Sequence, residues 1–137
     1  MLTSGCNCRA VFENTEIGKF NIDYVLSHDG GYTWGQRTRL YTPPTGHAGA
    51  PQIYNVWGTL VCSFMTSEAT PSAGPFYENG EMRVITSGDN GKTWSRSVVT
   101  GPAPAAWPGL FNVDPSHFLA FYSQSGKGAF SQRYELY

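Results

Sequence analysis

The chain has 137 residues, which suits one domain of ordinary size, and only 14% of them are charged, with a net charge of −1. This balance excludes the basic surface that nucleic-acid binding requires, and the apolar runs are too short to cross a membrane. Aromatic residues make up 15% of the chain, accompanied by 16 Gly and 9 Pro. We therefore predict an all-β fold of short strands joined by many turns.

The first third of the chain is predicted to form three strands. Residues 1–4 lack a basic residue followed by an apolar stretch, so no signal peptide is predicted. Segments 7–14, 20–27 and 36–41 are rich in β-branched and aromatic residues and read as strands. The second strand runs into the sequence SHDGGYTW at 27–34, and Pro43-Pro44 ends the third.

The pattern then restarts with four predicted strands. These are 50–56, 59–66, 81–87 and 95–100, with a long loop that contains Pro and Gly at 67–80. The sequence SGDNGKTW at 87–94 follows the third of them. After a linker at 101–106, three more strands are predicted at 107–113, 117–123 and 129–136. No amphipathic helix is predicted anywhere.

The two eight-residue sequences share the pattern Ser-x-Asp-x-Gly-x-Thr-Trp and begin 60 residues apart. In each, the Asp can accept hydrogen bonds from nearby backbone N–H groups and close a turn, and the Gly allows an unusual backbone angle. The Thr is expected to start the next strand, and the Trp to bury a large apolar surface. The pattern residues are Ser27, Asp29, Gly31, Thr33 and Trp34, and Ser87, Asp89, Gly91, Thr93 and Trp94.

This pattern resembles the Asp-box of the sialidase superfamily, whose members are β-propellers. The resemblance implies four-stranded antiparallel blades, with strands A to D from the centre outward. The chain would then hold B-C-D, A-B-C-D and A-B-C, in blade pieces of about 7–41, 50–100 and 107–136. We predict one partial propeller domain over 1–137, about two and a half blades, similar to the C-terminal part of a larger ring.

The propeller resemblance also places the candidate site. In such a blade the B–C and D–A connections lie on the face opposite the Asp-box turns. Carboxylates and aromatic residues on that rim would suit a carbohydrate, because sugar rings stack on aromatic faces and glycoside cleavage needs two carboxylates. The candidate residues there are Glu13, His47, Gln52, Glu68, Trp107 and Gln124.

A closer resemblance, to the fungal exo-arabinanases of this superfamily, covers most of the chain from Cys8 onward. It rests on VFEN at 11–14, AGAPQ at 48–52, GTLVCSFMT at 58–66 and WPGL at 107–110, besides the Asp-boxes. It implies six blades, an extracellular retaining glycosidase, an arabinose-containing oligosaccharide as partner, and two catalytic glutamates. Glu13 matches the later glutamate, and the earlier one has no counterpart here. We therefore expect this chain alone to be inactive, its missing blades supplied by a longer chain or by other copies.

Other interpretations stay open. Glu13 could be an ordinary solvated carboxylate. The chain could be a non-catalytic carbohydrate-binding module that self-assembles, or a structural repeat whose rim contacts proteins. Sialidase chemistry itself is disfavoured, because the six arginines show no pattern that specifies a trio around a substrate carboxylate.

The cysteines and acidic turns suggest no cofactor or metal site. Cys6, Cys8 and Cys62 are an odd number and lack zinc spacing, although a disulfide between two of them is conceivable. Cys8 and Cys62 are expected as small apolar residues on strands. The turn sequences do not continue into a calcium-binding loop pattern.

Overall fold

The computed structural model describes residues 7–16, 19–67 and 80–136, which form ten β-strands and no helix. The predicted all-β class is confirmed, and no membrane-spanning helix is present in this part of the chain. The strands are β1 Cys8–Glu16, β2 Lys19–Ser27, β3 Thr38–Tyr41, β4 Ala48–Val56, β5 Thr59–Thr66, β6 Glu81–Ser87, β7 Val98–Gly101, β8 Ala106–Asp114, β9 His117–Gln124 and β10 Gly128–Glu135.

The strands pair with their sequence neighbours in three antiparallel sheets. The first sheet is β1-β2-β3, the second β4-β5-β6-β7 and the third β8-β9-β10, and none of these sheets closes on itself within the described residues. All ten predicted strands are present. β5 and β6 have the predicted bounds, whereas β3 and β7 begin two and three residues later than predicted.

The core lies between successive sheets. β4 lies against β1 and β2, and β8 lies against β4, β5 and β6. The central strand β5 is buried on both faces: Cys62 and Phe64 pack with Ile22 towards the first sheet, and Val61 packs with Phe118 towards the third. The apolar run of β5 follows from this position, since a strand covered on both faces needs no polar alternation.

The two repeated turns form the same hydrogen bonds. In the first, the carboxylate of Asp29 accepts bonds from the Thr33 backbone N–H (2.9 Å) and hydroxyl (2.6 Å), and Asp89 and Thr93 repeat both distances. The Thr hydroxyl, the Thr N–H and the preceding Ser hydroxyl lower the pKa of each Asp to about 2. The predicted role of the Asp is confirmed.

No role was predicted for the Ser of each turn, although its hydroxyl accepts a further hydrogen bond that closes the turn. Ser27 Oγ accepts the Gly31 N–H at 2.8 Å, and Ser87 does the same for Gly91. The Thr, however, does not start the next strand as expected. It folds back onto the Asp, so the chain needs several more residues before pairing becomes continuous in β3 and β7.

The two turn tryptophans have different surroundings. Trp94 packs against the core between the first two sheets and meets Tyr24 edge to face at 5.9 Å between ring centroids. Trp34 was expected to be core as well, but 46% of it is exposed. Trp94 packs on the sheet that precedes its own, and the described residues place no sheet before that of Trp34.

Candidate functional site

Glu13 lies on β1 at the end of the first sheet that is away from the turn. It pairs with Ile22, whereas Cys8, five residues earlier, pairs with Ser27, where the first turn begins. Five residues of extended chain span about 17 Å. Glu13 and Asp29 are thus at opposite ends of this sheet. β1 continues to Glu16, two residues beyond the predicted end at 14, so Glu13 is inside the strand.

The carboxylate of Glu13 is tied to a bulge in the second sheet. The register of β4 shifts between Gly49 and Gln52, where Ala50 has a left-handed backbone (φ 49°) just before Pro51. The bulge turns the Ala50 N–H away from the β4–β5 ladder, and that N–H donates to Glu13 Oε1 at 2.6 Å. This contact fixes the carboxylate across the junction of two sheets.

The same bulge recurs in the third sheet. The register of β8 shifts between Ala106 and Gly109, and Trp107, just before Pro108, has a φ of 59°. A left-handed backbone is unusual for a bulky residue, so Trp107 has a strained backbone of the kind that clusters at functional sites. Trp107 is 63% exposed.

Trp107 and Gln124, two of the predicted binding residues, line one cavity of about 470 Å³. Gln124 donates from Nε2 to the Pro102 carbonyl at 3.1 Å, which orients its amide. The cavity is also lined by Pro104, Ala106, Ser123, Ser125, Gly126 and Gly128. An indole and an oriented amide beside an open cavity can contact a polar ligand with an apolar face.

The remaining predicted residues take different positions. His47 accepts the Phe20 N–H on Nδ1 at 3.2 Å, so it holds the first sheet to the chain before β4 and carries its proton on Nε2. Gln52 accepts a long bond of 3.5 Å from the Tyr54 hydroxyl. Glu68 lies outside the described residues.

The strand registers show which candidate site residues occupy equivalent positions on successive sheets. Glu13 on β1, Met65 on β5 and Ser123 on β9 occupy equivalent positions, and Ala50 corresponds to Trp107. Met65 packs with Ala106 in a small apolar cluster that also contacts Ala50. The structure thus brings Trp107 and Gln124 together, places Glu13 against Ala50, and puts both groups at the ends of the sheets away from the turns.

A buried charged network on the outer face of the first sheet escaped the sequence analysis. Asp23 has no exposed surface and is bound by Arg39, by Arg37 at 3.3 Å and by Asn14 at 2.7 Å. Both arginines also bind Glu16, at 2.6 Å and 2.8 Å, and the bond from Arg39 lowers the pKa of Glu16. The sequence signal for this network was an acidic residue that stands between two apolar residues, Ile22 and Tyr24, in a predicted strand.

This network limits the chemistry of the rim. Glu16 and Asp23 are bound by arginines, and so is Glu81, which pairs with Arg83. Glu13 is instead bound to a backbone N–H. Within the described ranges, no three His, Cys, Asp or Glu residues group as metal ligands. Cys62 is buried, which raises its pKa to about 12 and makes the thiolate inaccessible at neutral pH.

Neither a scan against protein-family models nor a search of curated proteins finds a match to this chain.

Proposed function

We propose that the chain is part of a carbohydrate-active propeller of the sialidase-superfamily type, directed at arabinan-type polysaccharide. Glu13 would supply one of the two carboxylates of an exo-arabinanase-like retaining glycosidase. The observation that carries the proposal is Trp107, an exposed indole held by a left-handed backbone beside the cavity that Gln124 lines. Aromatic faces pack on sugar rings, and a few oriented polar groups bind the hydroxyls.

The arrangement of the sheets supports the propeller part of the proposal. Each later sheet places its first strand against the sheet before it, as blades do. The third sheet exposes Phe111, Val113 and Phe121 on the face away from the second sheet, and Trp34 is exposed at the other end of the array. In a complete propeller a neighbouring blade would cover each of these apolar faces. Further blades from a longer chain or from other copies would therefore complete the ring.

Glu13 suits the role of one catalytic carboxylate held in place. The Ala50 N–H donates to one carboxylate oxygen at 2.6 Å and fixes the orientation of the group. A retaining mechanism needs a second carboxylate about 5–5.5 Å away. In this proposal that residue comes from a blade outside the described chain.

A non-catalytic carbohydrate-binding module is the second candidate. It is favoured by the fact that Glu16, Asp23 and Glu81 are each held by an arginine. The oxygens of a carboxylate in such a pair are engaged by the guanidinium and are less available to a substrate. In this candidate, Glu13 would only accept hydrogen bonds from sugar hydroxyls.

Calorimetric titration with linear arabino-oligosaccharides tests carbohydrate binding. We expect Trp107→Ala to weaken binding at least about tenfold, because the stacking surface is lost. Trp57→Ala is a matched control, since Trp57 is 68% exposed, also has a left-handed backbone (φ 48°), and lies at the opposite end of β4. Equal losses in the two variants, or no binding by the parent chain, would contradict the proposal.

A product assay separates the two candidates once binding is found. The purified chain is expected to release no arabinose, because it carries one of the two required carboxylates. Adding the missing blades, as a longer chain, should restore release in the parent but not in a Glu13→Gln variant. Binding without release in both forms would instead support the non-catalytic module.

A further inference from the structure

Two grooves lie between successive sheets at the end that carries the turns, and the 60-residue repeat relates their linings. The first, which we call the turn groove, has a volume of about 290 Å³ and lies between the first sheet and the second turn. The second, the apolar groove, has about 560 Å³ and lies between the second and third sheets. The first-sheet lining of the turn groove is Tyr24, Leu26, His28, Gly35, Gln36 and Thr38, and residues 60 positions later line the apolar groove.

The two grooves differ in chemistry at equivalent positions. Tyr24 and His28 of the turn groove correspond to Val84 and Gly88 of the apolar groove. The far wall differs too, because Lys92 and its neighbours in the second turn line the turn groove, whereas the end of β10 lines the other. The same backbone frame therefore forms one polar groove and one mostly apolar groove.

Tyr24 provides the strongest sign of a ligand site. It is only 5% exposed, yet its hydroxyl has no hydrogen-bond partner among the described residues. Its ring is held edge to face against Trp94. A Cβ added at Gly91, another lining residue, would lie 2.9 Å from the hydroxyl oxygen. The hydroxyl is thus fixed in the wall of the groove, and buried polar groups normally have partners.

Arg9 adds a second unpaired donor beside the same groove. It pairs with Leu26 in the β1–β2 register, and its guanidinium donates from Nη2 to the Asn90 side chain across the sheet junction. Its Nε is buried and has no hydrogen-bond partner in the described structure. Lys92 and His28 contribute further nitrogens to the lining.

The two carboxylates nearby are already occupied. Asp29 and Asp89 are the acidic residues of the two adjoining turns, and each is bound within its own turn by a Thr N–H, a Thr hydroxyl and a Ser hydroxyl. Neither carboxylate is therefore available to the donors at the groove, which are the Tyr24 hydroxyl, the Arg9 Nε and the Lys92 ammonium. A ligand that brings anionic oxygens would balance them.

We propose that the turn groove binds a small ligand through a carboxylate or phosphate group, whose oxygens accept hydrogen bonds from the Tyr24 hydroxyl and the Lys92 ammonium. The groove lies at the opposite end of the sheets from Glu13 and Trp107. The proposal is therefore independent of carbohydrate binding at that rim.

NMR titration of the chain with inorganic phosphate and, separately, with acetate at constant ionic strength tests this site. We expect saturable shifts of the Gly91 and Lys92 amides with at least one probe, and the probe that binds more tightly identifies the preferred oxyanion. Tyr24→Phe should weaken that binding at least about fivefold and leave the thermal midpoint unchanged or higher, because the hydroxyl has no hydrogen-bond partner in the described parts of the chain.

Two matched controls separate binding from folding. Tyr134→Phe removes a hydroxyl that donates to the Thr100 carbonyl in the other groove, so it should lower stability without changing oxyanion affinity. Lys92→Gln should weaken binding, and Lys127→Gln, in the β9–β10 turn, should not. The absence of saturable shifts with both probes, or equal affinity in the parent and in Tyr24→Phe, would overturn the proposal.

Discussion

The two turns of the repeat share the hydrogen bonds between their Asp, Thr and Gly residues and the Ser hydroxyl or Asp carboxylate, but they have different neighbours. Asp29 and Asp89 bind their Thr residues at identical distances, yet Trp94 is packed on the preceding sheet whereas Trp34 is 46% exposed. The fold of each turn is therefore determined locally by its eight residues. The burial of its tryptophan depends on a sheet that lies far away in sequence.

The largest expected effect is a difference between the two tryptophans. Trp94→Ala should lower the free energy of unfolding by about 3 kcal/mol, because it removes an aromatic side chain from the junction of two sheets. Trp34→Ala should cost less than about 1 kcal/mol, since its indole is half in solvent. Urea denaturation of both variants measures the two losses. Similar losses would show that Trp34 packs as well as Trp94 and would break the comparison.

A smaller loss of folding stability, to which both turns contribute equally, is expected when the pH is lowered. Hydrogen bonds from Thr, then Ser, lower the pKa of Asp29 and Asp89 from 3.8 to about 2 in the folded chain. A lowered pKa stabilises the fold above the unfolded value, so this contribution is complete above about pH 4 and is lost as the pH falls towards about 2. Urea denaturation midpoints measured between pH 5 and pH 2 would show this loss of stability.

Asparagine variants sharpen this test. Asp29→Asn and Asp89→Asn should each make the acid-induced loss shallower by the same amount, because their hydrogen bonds are the same. Asp114→Asn is the reference for a carboxylate outside the two turns, because a hydrogen bond from His117 lowers the pKa of Asp114 to about 2 as well. If only one of the two turn variants changed the acid-induced loss of stability, the two turns would not be equivalent.

The strands could be predicted from sequence because each one is a short apolar or alternating run between turn residues. β5 and β6 were bounded correctly, since Gly58 and the Asp turn mark their ends clearly. β3 and β7 were predicted to start too early, because the chain leaves each turn without continuous pairing. The position of a turn is local information, whereas the start of pairing depends on the partner strand.

The site was less predictable, since it depends on contacts between sheets. The bond from Ala50 to Glu13 needs a bulge in β4, and Pro51 was its only sign in the sequence. The burial of Asp23 depends on arginines 14 and 16 residues later. The Tyr24 hydroxyl, which has no hydrogen-bond partner among residues 7–16, 19–67 and 80–136, is buried because the second turn lies over the first sheet.

The central claim, that carbohydrate binds at the rim opposite the turns, is tested most directly by NMR mapping with a linear arabino-oligosaccharide. We predict saturable shifts of the Ala50 amide and of the Trp107 indole N–H, with Thr33 and Thr93 in the two turns unchanged. Shifts confined to the turns, or no shifts at any sugar concentration, would contradict it.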